Sequence, residues 1–200
     1  EVAFVEMDDK RFFLEGVIQA NADKKILVFV RTKVRAERVK KAMERVNIQS
    51  DTIHSDKEHA DRNQAMRDFK KGTNKVLIAT DISARGIDIP KVEIVVNYDL
   101  PESSEQYVHR VGRTGRGRDK GLAISLCAKE EQNMLKEIET NLGKPIKRLE
   151  MSKGEYDAVV ADSTDSQADW KSLVKEIEEE KTKHKQLKGK RANKKKKKKK

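Results

Sequence analysis

Two stretches of this 200-residue chain carry residue types suited to chemistry: Ala79–Asp88, ATDISARGID, and Tyr107–Arg116, YVHRVGRTGR. In and just beyond the second, Gly112, Gly115 and Gly117 are interleaved with Arg113, Arg116 and Arg118, so the backbone can bend tightly around placed guanidinium groups. Arg113 and Arg116 are three residues apart, which lets their forks converge on one site. Such forks match phosphate oxygens through paired hydrogen bonds better than lysine does. No acid lies between Arg110, Arg113, Arg116 and Arg118. Either an anion meets them or surface carboxylates do, and the interleaved glycines favour phosphate. In the first stretch Thr80 and Asp81 follow an apolar run, and Ala84-Arg85-Gly86 is small, basic and flexible. Asp88 has two readings: it accepts hydrogen bonds from a ribose hydroxyl, or it caps a turn and pairs with Arg85.

The elements that must position these residues alternate between strand and helix patterns. Val2 to Met7 reads as a short strand, with Asp8 as the cap of a helix whose apolar stripe is Phe12, Phe13, Val17 and Ile18. Ile26–Val30 is a continuous apolar run, the pattern of a strand covered on both faces. Thr32 reads as a helix cap, followed by Ala36, Val39, Met43 and Val46 at helical spacing. Thr52–His54 predicts a strand, and 58–71 a helix stopped by Gly72. Lys75–Ala79 and Glu93–Asn97 predict two more buried strands. A helix over 103–111, a strand over 122–126 and a helix over 129–142 complete the series. This alternation predicts an α/β fold with a mostly parallel central sheet and right-handed crossovers. Ligands then gather past the carboxyl ends of the strands, at 31–33, 54–57, 80–90 and 98–101.

Composition narrows the rest. Hydrophobic residues are 36%, charged residues 40% and aromatics 4%, and no apolar run approaches the roughly 20 residues of a membrane span. So few aromatics argue against a platform of exposed rings that stack bases. The single cysteine, Cys127, excludes an internal disulfide and a four-cysteine zinc site, and it reads as inert core. A soluble, reducing, cytoplasmic setting is the expectation, with no membrane partner and a monomeric state. The formal net charge of +11 is unevenly spread: 1–150 carries +4, 151–180 carries −6, and 181–200 holds thirteen basic residues and no acid. The expected organisation is a domain at 1–150, an acidic linker at 151–168 and a short amphipathic helix at 169–187 (Trp170, Leu173, Val174, Ile177). A disordered lysine-rich tail at 188–200 ends the chain. The helix at 169–187 either binds a partner or folds back on its own domain.

With these residues in view, the chain resembles the C-terminal RecA-like half of the helicase core of DEAD-box ATP-dependent RNA helicases. The resemblance covers 1–150. Ile26–Lys33 resembles motif IV, His54–Gly72 the segment bearing motif IVa, Val76–Asp88 motif V and Tyr107–Arg116 motif VI. It implies a three-layer RecA-like domain. It also implies that Arg113 and Arg116 are arginine fingers reaching the γ-phosphate of ATP, with Asp88 on the ribose and Gly86 beside the nucleotide. His109 and Arg110 would couple the two halves of the core. Thr32, Arg62, Thr80 and Gly86 would grip RNA phosphates and 2′-hydroxyls. ATP would be shared with an N-terminal RecA-like domain of the same protein, and Mg²⁺ would be bound by that domain alone. Two departures weaken the RNA contact near 55–62. His54-Ser55-Asp56 stands where the family usually has His-Gly-Asp, and His59 replaces a glutamine.

The chain contains neither a glycine-rich phosphate loop ending in Gly-Lys-Ser/Thr nor an Asp-Glu-Ala-Asp sequence. It is therefore expected to be a fragment of a longer enzyme, inactive by itself. The alternatives are a non-catalytic RNA-binding module or adaptor and, less well matched, a DNA-directed helicase of the same superfamily. The basic tail predicts an RNA tether. If so, 1–200 binds single-stranded RNA more tightly than 1–180 at low salt, with a log–log salt slope of about −0.7 per phosphate neutralised. Equal affinities of the two forms at low salt would end that idea.

Overall fold

The computed structural model describes residues 1–81, 92–115 and 121–163. All of them lie within the unit Glu1–Ser166. The six strands are β1 (Val2–Phe4), β2 (Ile26–Phe29), β3 (Asp51–Ile53), β4 (Val76–Ala79), β5 (Ile94–Asn97) and β6 (Leu122–Cys127). They form one parallel sheet in the order β1-β6-β5-β2-β4-β3. The helices are α1 (Lys10–Gln19), α2 (Lys33–Arg45), α3 (His59–Lys71), α4 (Ser104–Val111), α5 (Gln132–Leu142) and α6 (Lys153–Asp162), with a 3-10 turn at Lys129–Glu131. This is the three-layer RecA-like arrangement.

The central strands are apolar throughout because both faces are covered: every residue of β2, β4 and β5 is buried. Right-handed crossovers place α1 and α2 on one face and α3 and α4 on the other. The observed packing agrees, with α1 against α2 and α6, and α4 against α5. The two-residue strand period sends Leu27 and Phe29 toward Phe69 and Met66 of α3 and leaves Ile26 and Val28 for the opposite face. Helix ends follow the expected chemistry at Thr32, whose hydroxyl accepts from Arg35 N at 3.1 Å. At the other end of α3, Gly72 takes a φ of 79°.

Two expectations are corrected. The residue capping α1 is Asp9, not Asp8. Its carboxylate does not bond the helix's own backbone, because it accepts a hydrogen bond from Tyr156 Oη at 2.7 Å. And 151–168, expected as a linker, contains α6. Ser152 and Glu155 form a reciprocal cap, Ser152 N donating to the Glu155 carboxylate at 2.7 Å. Before α6 begins, the chain bonds β1 on both sides of Val2, through Lys147 O and Leu149 N. α6 then clasps α1. The Tyr156 ring lies 4.9 Å from that of Phe13, its hydroxyl also accepts from Glu6 N, and Ser163 donates to buried Glu15. Burial and donation to Asp9 push the Tyr156 hydroxyl up to about 12. The expected helix at 169–187 and the tail lie outside the described residues.

Two charged clusters brace the sheet. Glu131, buried beside the start of α5, accepts from Lys10 Nζ, Arg31 Nη2, Leu100 N and Ala128 N. Lys10 is fully buried and also donates to Tyr98 O at 2.7 Å. On the α2 side, Glu37 accepts from Thr52 Oγ1 at 2.6 Å and bonds His54 Nε2 at 2.7 Å. Burial works to raise the Glu37 pKa, but the His54 and Thr52 bonds and nearby Lys57 outweigh it and bring it down to about 2.

Removing Glu131 takes from the buried Lys10 ammonium its hydrogen-bonded acid and leaves it Asp99 at 4.0 Å. Glu131→Ala should therefore cost about 3–5 kcal/mol in urea unfolding, and a loss under about 1 kcal/mol would refute the bracing role. A depressed Glu37 contributes stability that is whole above its ordinary value of 4.5 and vanishes as pH falls toward about 2. Glu37→Gln should thus be less stable than the parent at pH 6, with the gap closing between those two values. Urea midpoints that stay equally far apart down to pH 2 would contradict this.

Candidate nucleotide and nucleic-acid site

The loops that leave β2, β3, β4 and β5 meet at the carboxyl edge of the sheet, as a parallel sheet requires. Asp99 fixes the first of them. Its Oδ2 accepts from Arg31 N at 2.9 Å and lies 3.6 Å from Arg35 Nε. Thr32, exposed at the start of α2, accepts from Arg35 N and keeps its own proton free to donate outward. Lys33 reaches across to Asp56 at 2.8 Å, joining the loop after β2 to the loop after β3. That hydrogen bond holds the Asp56 carboxyl below the usual carboxylate range. Arg62 sits in the first turn of α3, half-buried, and its Nε has no hydrogen-bond partner. His59 is exposed and, among the described residues, bonds only Asn63, at 2.9 Å. Thr80 is buried at the mouth of a cleft of about 260 Å³ whose walls include Arg31, Asp81 and Arg110. Exposed cationic helix starts with hydroxyl donors suit an anionic chain.

The arginine-rich turn lies elsewhere. Ser103 caps α4, its hydroxyl accepting from Gln106 N at 3.2 Å. Because α4 runs antiparallel to the strands, its last residues arrive at the amino edge of the sheet. There Thr114 Oγ1 donates to Val92 O at 2.7 Å and lies 3.0 Å from Glu93 O, while Val92 N donates to Arg113 O at 3.4 Å. Gly115 has a φ of 66°. A Cβ at Gly121 would lie 2.1 Å from Thr114 Oγ1, so only glycine fits where the chain returns. The turn is pinned on both sides.

The arginines of this region differ in what they touch. Arg110 is 2% exposed. Its Nε and Nη2 each donate to Asp81 at 2.7 Å, and its Nη1 donates to Asp99 O at 2.8 Å and Asn97 Oδ1 at 3.2 Å. Phe29 lies 5.0 Å away, ring to guanidinium. Arg110, expected to help couple two halves of a core, spends these donors inside this one. Arg113, half-buried on the pinned turn, makes no ion pair or side-chain hydrogen bond with any described residue. His109 is exposed on α4.

The structure therefore gathers Thr32, Thr80 and the Arg62 helix start at one edge and sets Arg113 at the other. Gly86, Asp88 and Arg116 lie outside the described residues. Sequence reasoning missed the bracing set of Lys10, Arg31, Asp99 and Glu131, whose members are scattered along the chain and carry no local pattern. Cys127 is buried, and its thiol is pushed up to about 11 by burial, consistent with inert core. Among the described residues no group of three or more histidine, cysteine or acidic side chains is placed to hold a metal ion.

Comparison with known proteins gives a consistent result. The helicase conserved C-terminal domain family matches residues 9–118. The ATP-dependent rRNA helicase RRP3 of Kluyveromyces lactis is 37% identical over 158 residues, covering 78% of this chain and 32% of that protein. The chain thus spans about a third of the length of such relatives. Among solved structures, Escherichia coli DEAD-box protein SrmB bound to RraA superimposes with a TM-score of 0.71 at 31% identity, covering 75% of this chain and 89% of that one. Saccharomyces cerevisiae Dbp5 bound to RNA and ADP BeF3 superimposes with a TM-score of 0.70 at 33% identity, covering 80% and 43%. By matched sequence, sheet order and placement of its motifs, this chain is a C-terminal helicase domain of the DEAD-box RNA helicase family.

Proposed function

We propose that this domain is the second half of an ATP-dependent RNA helicase core, one that opens short duplexes locally. The carboxyl edge holds RNA through phosphates and 2′-hydroxyls, using Thr32, Thr80 and Arg62. Contacts of that kind carry no base preference. The arginine turn serves ATP, which an N-terminal RecA-like domain holds for the most part together with Mg²⁺. Arg113 fits that role by its environment: a half-buried guanidinium, paired with no described residue and carried on a braced turn, suits an external anion. That is the observation carrying the reading. Arg116, Asp88 and Gly86 would complete the nucleotide contact from this side, and exposed His109 would face the companion domain.

The chemistry follows from charge. As the γ-phosphoryl group leaves for water, negative charge spreads over its oxygens. A guanidinium delivered by domain closure stabilises that charge without reorganising. Alone, this domain carries neither a glycine-rich phosphate loop nor an Asp-Glu-Ala-Asp sequence, so by this reading it turns nothing over. Joined to its companion domain, it should hydrolyse ATP in response to RNA. Arg113→Ala in that protein should cut RNA-stimulated hydrolysis by about 10³–10⁵ while leaving the unfolding midpoint in place. Turnover close to that of the parent would remove Arg113 from the reaction. If the parent lacks RNA-stimulated hydrolysis altogether, the domain is instead an RNA-binding adaptor.

A further inference from the structure

The net positive charge of 1–150 is concentrated in one helix. α2 carries six lysine and arginine residues and two glutamates, a net of +4, which equals the net charge of that whole span. The remainder of 1–150 balances to zero, so the excess it offers a polyanion lies on α2. Nor are these charges spread evenly around the helix. Ala36, Val39, Ala42 and Met43 make its buried face. Val34, Arg38, Lys41 and Arg45 recur at steps of four, three and four, so they share one stripe outside that face. The acids beside the stripe are occupied. Glu37 is spent toward β3, on Thr52, His54 and Lys57. Glu44 holds Lys40 at 2.8 Å and lies 3.8 Å from Lys41. Arg38 makes no ion pair or side-chain hydrogen bond with any described residue. Half-buried long side chains of this kind cover the helix with their stems and keep their charged heads at the surface.

The row begins at a telling place. α2 is capped by Thr32, which the proposed function gives to RNA, and the neighbouring Arg31 side chain is 38% exposed. From there its 13 residues carry the helix about 20 Å away from the carboxyl edge. A line of cations that starts where a strand is gripped suits the continuation of that strand. A lipid surface would ask for exposed apolar residues along the helix, and on α2 the exposed large apolar side chain is Val34 alone. From this geometry we infer that α2 is a second RNA track: single-stranded RNA held at the carboxyl edge continues along the helix, its phosphates meeting Arg38, Lys41 and Arg45. The inference rests on the proposed function and lengthens its footprint beyond the loops at the sheet edge, again without base preference.

The test uses the domain joined to its nucleotide-binding companion and two oligouridylates, a short one that spans only the carboxyl edge and one extended at both ends by the length of α2. Log–log salt titrations of affinity count the phosphates neutralised, at about 0.7 of slope each on a single strand. In the parent protein the long strand should bind more tightly and with the steeper slope. Arg38→Gln, Lys41→Gln and Arg45→Gln together should lower the slope on the long strand by about 2 and leave affinity for the short one within about twofold. The basic residues at 181–200 are common to all forms, so a difference between forms belongs to α2. Should the triple variant not fold, Arg38→Gln alone removes a side chain with no described partner and should lower the slope by about 0.7. Lys129→Gln, Lys136→Gln and Lys144→Gln, at three exposed positions elsewhere, remove the same charge and should keep the parent slope. Equal slopes for the two strands in the parent, a parent-like slope in the α2 variants, or an equal drop in the lysine control overturns the inference and leaves the functional reading standing. A parent that binds neither strand defeats that reading as well. Phosphatidylserine vesicles that bind the parent but not the triple variant, with RNA slopes unchanged, would give the row to a membrane surface and likewise overturn the inference.

Discussion

A guanidinium taken out of water is tolerable only where acids and carbonyls replace what water gave it. Arg110 is the largest fully buried side chain among the described residues, and the end of the sheet is arranged around satisfying it. Asp81 meets two of its nitrogens, and Asn97 and the Asp99 carbonyl meet the third. These partners come from the ends of β4 and β5, so the pair forms only when those strands are in register and α4 lies across them. A one-residue slip of β5 would turn Asn97 to the other face and leave the arginine stranded. Enclosed charge here selects one arrangement of strands and helix over its neighbours.

The same requirement explains why two kinds of surface coexist on so small a domain. The carboxyl edge collects loops from four parallel strands and exposes two helix starts. The amino edge receives the far end of α4, which must run antiparallel to get from β5 to β6 by a right-handed path. Arg113 thus reaches its place by topology, away from the edge where a parallel sheet ordinarily presents its ligands. The glycine at 121 then lets the returning strand pass against Thr114 at a separation no side chain would permit.

Much of this was legible in the residues. The apolar runs of β2, β4 and β5 could only be doubly covered strands. The cap at Thr32 and the stop at Gly72 announced their helices. What stayed hidden has a common cause. Arg110 and Arg113 are alike in type and only three apart, and nothing local says that one is consumed internally while the other pairs with no described residue. The deciding partner, Asp81, lies 29 residues upstream. Likewise α6 has no buried residue and no apolar stripe, so its acidic composition suggested a linker, even though the Ser152–Glu155 capping pair was present in the sequence.

That clasp sets where the domain can be trimmed. Glu15 is 4% exposed, and its cover includes Ser163, nearly 150 positions further along. Phe13 and the opening of α1 are roofed in the same way by Tyr156. A recombinant version shortened at residue 150, at the close of the recognisable motifs, would unroof a carboxylate and an aromatic ring together. The contacts of Tyr156 and Ser163 carry the packed unit past the last motif.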